Sequence, residues 1–290
     1  MQRLKAGRVM STEGRGVQSI EVGGRILQVL VDAEQPMMLR DLAKQAGMLP
    51  AQAHAYLVSY RKQSLVDQDE ATGRYRLGPF ALQLGIARMR CLDPLRMASE
   101  LLPDLADLAG FTVALSIWGT HGPTVIQIHE GVDQLYTKTR AGTVYSIAGT
   151  ATGRVFAAFM PERIVRMALE NEGLEGTRSK RIGISDPVQA KALRAAIVAI
   201  RRQGYATIDP QPVPGVSALS APVFDHMGHI QMAITVIGPT RTMDTTPASP
   251  VIPKLLAFAN QLSAQLGYDG DDSVWAGREN TQAVGLAAKT

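Results

Sequence analysis

The sequence predicts an α+β protein in two parts: a short helical module closed by a β-hairpin, then a linker helix and a larger domain with an antiparallel sheet. Three observations carry this prediction. Apolar residues recur at helical spacing in three short runs, and LVDQDEATGRYRLG after them reads as two short strands around a polar turn. Two alternating, β-branched stretches, FTVALSIWG and PTVIQIHEG, flank Thr120-His121-Gly122. Further strands return late in the chain, after a run of mid-domain helices, an order that suits an α+β domain better than a parallel sheet.

Residues 1–16 carry Arg3, Lys5, Arg8 and Arg15 against Glu13 alone and show no apolar period, so they read as a basic arm. From Ser19 onward Ile20, Ile26, Leu27, Leu30 and Val31 recur as in an amphipathic helix, despite Gly23 and Gly24, until Pro36 breaks it. A second helix fits Leu39–Gln45, with Leu42, Ala43 and Ala46 inward and Gly47 as C-terminal cap. A third begins at Pro50, a residue tolerated where its missing N–H would have no partner. Ala53, Tyr56, Leu57 and Tyr60 form its apolar stripe. Leu65-Val66 and Tyr75-Arg76-Leu77 then make the hairpin, turning at Thr72 and Gly73. Two helices, a glycine-containing turn, a third helix and a hairpin follow the winged helix-turn-helix order. Three helices and a hairpin also build small protein-interaction modules, so the order alone does not establish DNA binding.

Residues 80–90 are helical by spacing and read as a connecting helix, with Asp93-Pro94 as a break and Pro103 as a kink in the next helix. After the two alternating stretches, QLYTKTRAG supplies a third strand. Helices are expected over 150–160, 161–171 and 187–202, strands over 205–208, 216–224 and 230–237, and a closing helix over 250–267. The divisions are thus 1–16 for the arm, 17–78 for the winged helix, 79–98 for the linker, 99–268 for the second domain and 269–290 for a disordered tail.

Composition narrows the function. The 290 residues carry 30 Lys+Arg and 26 Asp+Glu, a formal charge of only +4, with 46% hydrophobic residues, which excludes global disorder and a polycation. A lone cysteine, Cys91, excludes an intramolecular disulfide and a zinc site of several thiolates, and suits a reducing cytoplasm. The polar start does not read as a signal peptide, and charged residues interrupt every apolar segment, so no membrane span is expected. No Ser sits in a G-x-S-x-G elbow, Cys91 is not beside a His, and GTATGR at 149–154 lacks the length and Lys-Ser/Thr of a P-loop. His121, His129, His226 and His229 lack a carboxylate–His helical motif, so neither a metal nor a cofactor is expected, and an enzyme is not.

The order of elements and four segments together carry a resemblance. VGGRILQVLVDAEQPMMLRDLAKQAGM and HAYLVSYRKQSLVDQDEATGRYRLGPFALQLG lie in the first part, and TRAGTVYSIAGTATGRVFAAFMP and RRQGYATIDPQPVPGVSALSAPVFDHMGHI in the second. Over roughly residues 18–266 the chain resembles the IclR family of bacterial transcriptional regulators. The resemblance implies an N-terminal winged helix that binds double-stranded operator DNA, a C-terminal GAF-like domain that binds a small organic acid, and assembly into homodimers or homotetramers. Where the family often has Lys-Ser-Thr at the start of its recognition helix this chain has Pro50-Ala51-Gln52, and where an Arg usually follows the His it has Ala55. Gly153-Arg154 stands for the frequent Gly-Lys, Ser217-Ala218 for an Arg-Cys pair, and Ile208, with Asp209 adjacent, for an upstream acid.

Candidate sites follow. Gln52 can bond bidentately to adenine and His54 can donate to a purine acceptor. Arg61, Lys62, Arg74 and Arg76 flank the helix end and the wing without an equal number of nearby acids, which suits phosphates, and Ala51, Ala55 and Ser59 complete the reading face. In the second domain Thr150, Ala151 and Thr152 open a helix whose free N–H groups can receive a carboxylate. Ile147, Val216, Ser217 and Ala218 fall on the family's pocket-lining segments, with Ser116, Trp118, Tyr145 and Asp209 nearby. An aromatic or other partly apolar acid fits such a wall. The leading reading is a ligand-responsive regulator of a catabolic operon; the rival is an effector-binding or scaffold protein whose winged helix has lost DNA affinity.

Overall fold

A computed structural model of the protein describes residues 16–33, 35–132, 139–174, 187–208 and 214–270, without the side chains of 173–174 and 187–190. The basic arm up to residue 15, strand residues 134–138, Asp209 and the tail from 271 lie outside the described residues. The chain divides into two compact units, Met1–Leu92 and Asp93–Thr290.

In the first unit α1 (Gln18–Asp32), α2 (Leu39–Gln45) and α3 (Pro50–Lys62) precede the hairpin of β1 (Val66–Gln68) and β2 (Tyr75–Leu77). Ile26, Leu30, Leu42, Ala43, Ala46, Ala53, Leu57, Val66 and Tyr75 form its core. The inward face of α1 is narrower than its periodicity suggests. Gly23, Ile26 and Leu30 are buried, whereas Ile20 is 71% and Val31 62% exposed. The reason is the small partner surface: α1 packs chiefly on α2, α3 and β2, so residues roughly a quarter-turn off its centre reach solvent. Gly23 is where α1 lies close to α3, because a Cβ there would collide with Tyr60 Oη and the Tyr56 ring. Gly47 follows α2 with φ +66°, the left-handed C-terminal cap. Met37 also pairs with Tyr75, exchanging both backbone hydrogen bonds (2.9 and 2.7 Å) and tying the α1–α2 connection to the wing. The unit ends with α4 (Pro79–Arg90), which buries no residue.

In the second unit the sheet order is β4-β3-β7-β6-β5, with every pairing antiparallel. Its strands are β3 (Thr112–Gly119), β4 (Gly122–His129), β5 (Ala206–Ile208), β6 (Val216–Phe224) and β7 (Ile230–Pro239). The region expected to be one linker over 79–98 contains the whole of α4 and the start of a separate helix, α5 (Pro94–Ala109), which Asp93 Oδ1 caps by accepting from Arg96 N at 3.1 Å. This helix runs through Pro103 as a single element and ends at Gly110, φ +78°. With α9 (Val251–Gln265) it covers one face of the sheet. On the other lies α6 (Ala151–Phe159), which packs against β5, β6, β7 and α8 (Pro187–Gln203); α7 (Glu162–Leu174) packs behind α6.

QLYTKTRAG was expected to give a strand. Of its described end, Gly142 donates to the Val125 carbonyl (2.8 Å), and Val144 forms an isolated bridge with Thr124. Among the described residues no helix is long and apolar enough to cross a membrane, and no His, Cys, Asp and Glu cluster could hold a metal ion. His226 and His229 lie on the β6–β7 turn, which Asp225 Oδ1 fixes by accepting from Met227 N (2.9 Å) and His229 N (3.0 Å).

Candidate functional site

The first site is the outer surface of α3 and the hairpin. Burying Ala53 and Leu57 turns Ala51, Gln52, His54, Ala55, Ser59, Arg61 and Lys62 to solvent, and α3 carries no acidic residue to repel phosphate. The hydroxyl of Ser59 donates back to the Ala55 carbonyl at 3.2 Å, so it is turned along the helix. Arg61 Nη1 donates to Gln68 Oε1 (2.8 Å), which joins the end of α3 to β1. Arg74 Nη1 donates to the Pro36 carbonyl (3.0 Å).

The acid balance around these cations differs from the sequence reading. Asp67 is the register partner of Arg76 and pairs with it at 3.1 Å, a neighbour that linear spacing does not reveal. Both side chains are about half exposed, and such a pair contributes roughly 0–1 kcal/mol, little enough for a phosphate to displace it. Lys62 has no partner among the described residues. At the wing tip Asp69 accepts from Thr72 N (2.7 Å) and Thr72 Oγ1 (2.9 Å), which hold its carboxyl below the ordinary value. Gly73, φ +69°, completes that turn.

The second site lies at the head of α6. Thr150 is its N-cap: Oγ1 accepts from Gly153 N (2.9 Å) and donates to the Ser146 carbonyl (2.7 Å). Arg154 N is taken by the Thr150 carbonyl, so the N–H groups of Ala151 and Thr152 remain without a partner among the described residues. Two adjacent free donors at the positive end of a helix suit an anion. The loop before them is rigidly placed. Buried Glu172 accepts from Ile147 N (2.8 Å) and from Ser146 Oγ (3.4 Å), and a Cβ on Gly153 would collide with the backbone of Ser146 and Ile147.

Strand alternation decides which candidates share this side of the sheet. Ser116 and Trp118 of β3 and Val216 and Ala218 of β6 face it; Trp118 and Ala218 pack on the cluster around Val155 and Phe156, with Trp118 edge-on to Phe156 at 5.7 Å. Tyr145 joins Val216 and Ala218 over Ala114, Val125 and Ile237. Burial pushes the Tyr145 hydroxyl above its ordinary value, so at neutral pH it is an uncharged donor. Ile147 packs further back, on Ala157, Val165, Leu169 and Leu193. Ser217 has the opposite parity and donates to Thr240 Oγ1 (3.0 Å). Burial also lowers the pKa of Arg154, whose Nε donates to the Ala148 carbonyl (2.9 Å).

Sequence reasoning missed Thr235, Ser220 and Glu172. Thr235 Oγ1 lies 2.7 Å from Thr152 Oγ1 and 2.9 Å from Ser220 Oγ, a fully buried hydroxyl triad beneath the helix head. Ser116 Oγ, one of the expected candidates, is equally buried on that side and has no partner among the described residues. The signal for Ser220 was its position two residues after Ala218 on one strand face; Glu172 had none, since it acts on Ile147 from 25 positions away. A cavity of about 280 Å³ opens between His121, Tyr145, Ser146, Asn171 and Glu172, on the flank of the same loop. Larger open grooves lie elsewhere, about 550 Å³ beside Arg61, Lys62 and Asp67 and about 510 Å³ between the ends of α8 and α9.

A helix-turn-helix module with an exposed, acid-free third helix, followed by an α+β domain with an anion-ready helix head, defines a transcriptional regulator with a C-terminal effector domain. Family models match both parts: the IclR helix-turn-helix domain over residues 19–70 and the bacterial transcriptional regulator IclR C-terminal domain over residues 89–264. The chain belongs to the IclR family.

Its similarity to a glycerol operon regulatory protein of Streptomyces griseus is 28% identity over 255 residues, 87% of this chain and 98% of that protein. The HTH-type transcriptional regulator BhcR of Paracoccus denitrificans is 26% identical over 266 residues, 90% and 91% of the two chains. Among solved structures, Pseudomonas aeruginosa HmgR superposes with a TM-score of 0.77 at 35% identity, over 88% of this chain and all of that one. The Agrobacterium tumefaciens repressor BlcR, at 20% identity and TM-score 0.70 over 88% and 99%, shares the fold. These relatives are named as regulators, and the chain is a regulator rather than an enzyme.

Proposed function

We propose that the protein is a cytoplasmic, homo-oligomeric regulator that binds a double-stranded operator through α3 and the wing and answers to a small organic acid bound at the head of α6. The observation that carries the DNA half is the acid-free outer surface of α3, which presents Gln52 and His54 ahead of the cations Arg61 and Lys62 in its last turn. The free Ala151 and Thr152 N–H groups support a carboxylate, and Trp118, Tyr145 and Val216 supply an apolar wall that favours an aromatic or partly apolar acid. Thr150 and Ile147 belong to the same proposed region, and Asp209 is assigned to it from the sequence alone; Ser217, turned to the other side of β6, is not part of it. The apolar exposure of α4 supports assembly into dimers or tetramers. As the names of relatives say of their own control of an operon, a catabolic operon is the natural target.

Acid binding would select one arrangement of two reading heads, a population shift between DNA-competent and DNA-incompetent states. A DNA fragment from upstream of its own gene should be retarded by the full-length protein, with steep salt dependence, and the double change Gln52→Ala with His54→Ala should abolish specific retardation. No retardation even at low salt would favour the rival, an effector-binding protein without DNA affinity, for which Ala51 and Ala55 are the supporting observation.

A further inference from the structure

The outermost stripe of α3 is apolar. With about 100° between successive residues, the buried pair Ala53 and Leu57 sets the inward direction, and Ala51, Ala55 and Val58 fall opposite. All three are exposed, and Lys62 continues the stripe at the helix end. Gln52 lies on one flank and His54 on the other. From Ala51 to Val58 the stripe therefore sets methyl groups where a helix in the major groove presses deepest, and Ser59 at its edge spends its proton on the Ala55 carbonyl.

This chemistry discriminates among base edges. Guanine, adenine and cytosine offer the major groove only donors and acceptors, which methyl groups would cover without satisfying, whereas thymine adds a C5 methyl that apolar side chains can bury. The cations Arg61 and Lys62 at the end of the same helix, and the absence of acids along it, fit a phosphate-flanked groove rather than an apolar protein partner. We propose that Ala51, Ala55 and Val58 read thymine methyl groups, so that each operator half-site sets thymines beneath this stripe, beside the purine met by Gln52 or His54. The inference rests on the assignment of α3 as the DNA-reading helix.

Uracil tests it, because it keeps the thymine acceptor and loses only the methyl. Full-length protein would select duplexes from a randomised library at low salt, and the enriched duplex would be resynthesised with deoxyuridine for thymidine one position at a time. Removal of one or two methyls per half-site should weaken binding by about fourfold each. In a folded Ala51→Ser, Ala55→Ser variant that penalty should shrink to less than about twofold. Enrichment with a silent uracil scan, or a penalty unchanged in the variant, overturns methyl reading alone. A change in oligomeric mass of the variant with a silent scan reassigns the stripe to a subunit contact. Failure to enrich any duplex overturns both this inference and the DNA-binding reading.

Discussion

The Ser116 hydroxyl is fully buried without a partner among the described residues, an arrangement that costs about 1–3 kcal/mol when nothing compensates it. Its neighbours on the same side of the sheet show the contrast: Thr152, Thr235 and Ser220 share two hydrogen bonds among three hydroxyls. Under the proposed effector site, Ser116 is the group an acid with a second polar substituent would satisfy once its carboxylate meets the N–H groups of Ala151 and Thr152. Ser116→Ala should then leave the ligand-free protein as stable, or up to ~1 kcal/mol more stable, while reducing the thermal stabilisation given by a bound acid. Melting curves against a panel of aromatic and aliphatic acids check both halves. A ligand-free variant that melts well below the parent would show instead that the hydroxyl holds the core together.

At the scale of elements, α4 poses the clearest physical problem. Leu82 is 66% exposed, and Leu84, Ile86 and Met89 are also open to solvent along a helix that buries nothing. Helices apolar on several sides are ordinarily covered, and a second copy of the chain is the covering partner the proposed assembly supplies. Leu82→Glu with Ile86→Glu, four residues apart on one stripe, should halve the sedimenting mass at micromolar concentration without lowering the helix content of the subunit. An unchanged mass would place the subunit contact elsewhere.

The element spans were legible because their signals are local: the Gly47 cap, Pro50 at a helix start, alternation in β3 and β4. Facing and partnership were less so. The period of α1 marks one apolar side, yet the exposure of Ile20 and Val31 depends on how little of α1 its neighbours cover. The Asp67–Arg76 pair, the Thr152–Thr235–Ser220 triad and the Glu172 support of Ile147 join residues by pairing and packing that no local spacing encodes. The head of α6 was legible from GTATGR, whereas the hydroxyls beneath it were not.

For the whole molecule the question is how a chain with a formal charge of only +4 holds a polyanion. Bulk charge is too small to do so, and Arg76 must exchange its half-exposed pair with Asp67 before it meets a phosphate. In the proposed homo-oligomer, affinity comes from a few placed cations repeated by symmetry, with two heads contacting one operator. This has a quantitative signature. The logarithm of the affinity for B-DNA falls with the logarithm of salt concentration by about 0.9 for each phosphate neutralised. Lys62, without a protein partner among the described residues, should engage one phosphate per subunit. Lys62→Ala should therefore reduce the magnitude of the slope by about 1.8 if two subunits grip the operator, against about 0.9 if only one does. Titrations of a labelled operator duplex between low and moderate salt measure the difference. A drop near the smaller value would refute the two-headed grip, and an unchanged slope would remove Lys62 from the phosphate contacts. Because the released counterions are counted per assembly, the measurement reports the number of engaged subunits from a single substitution.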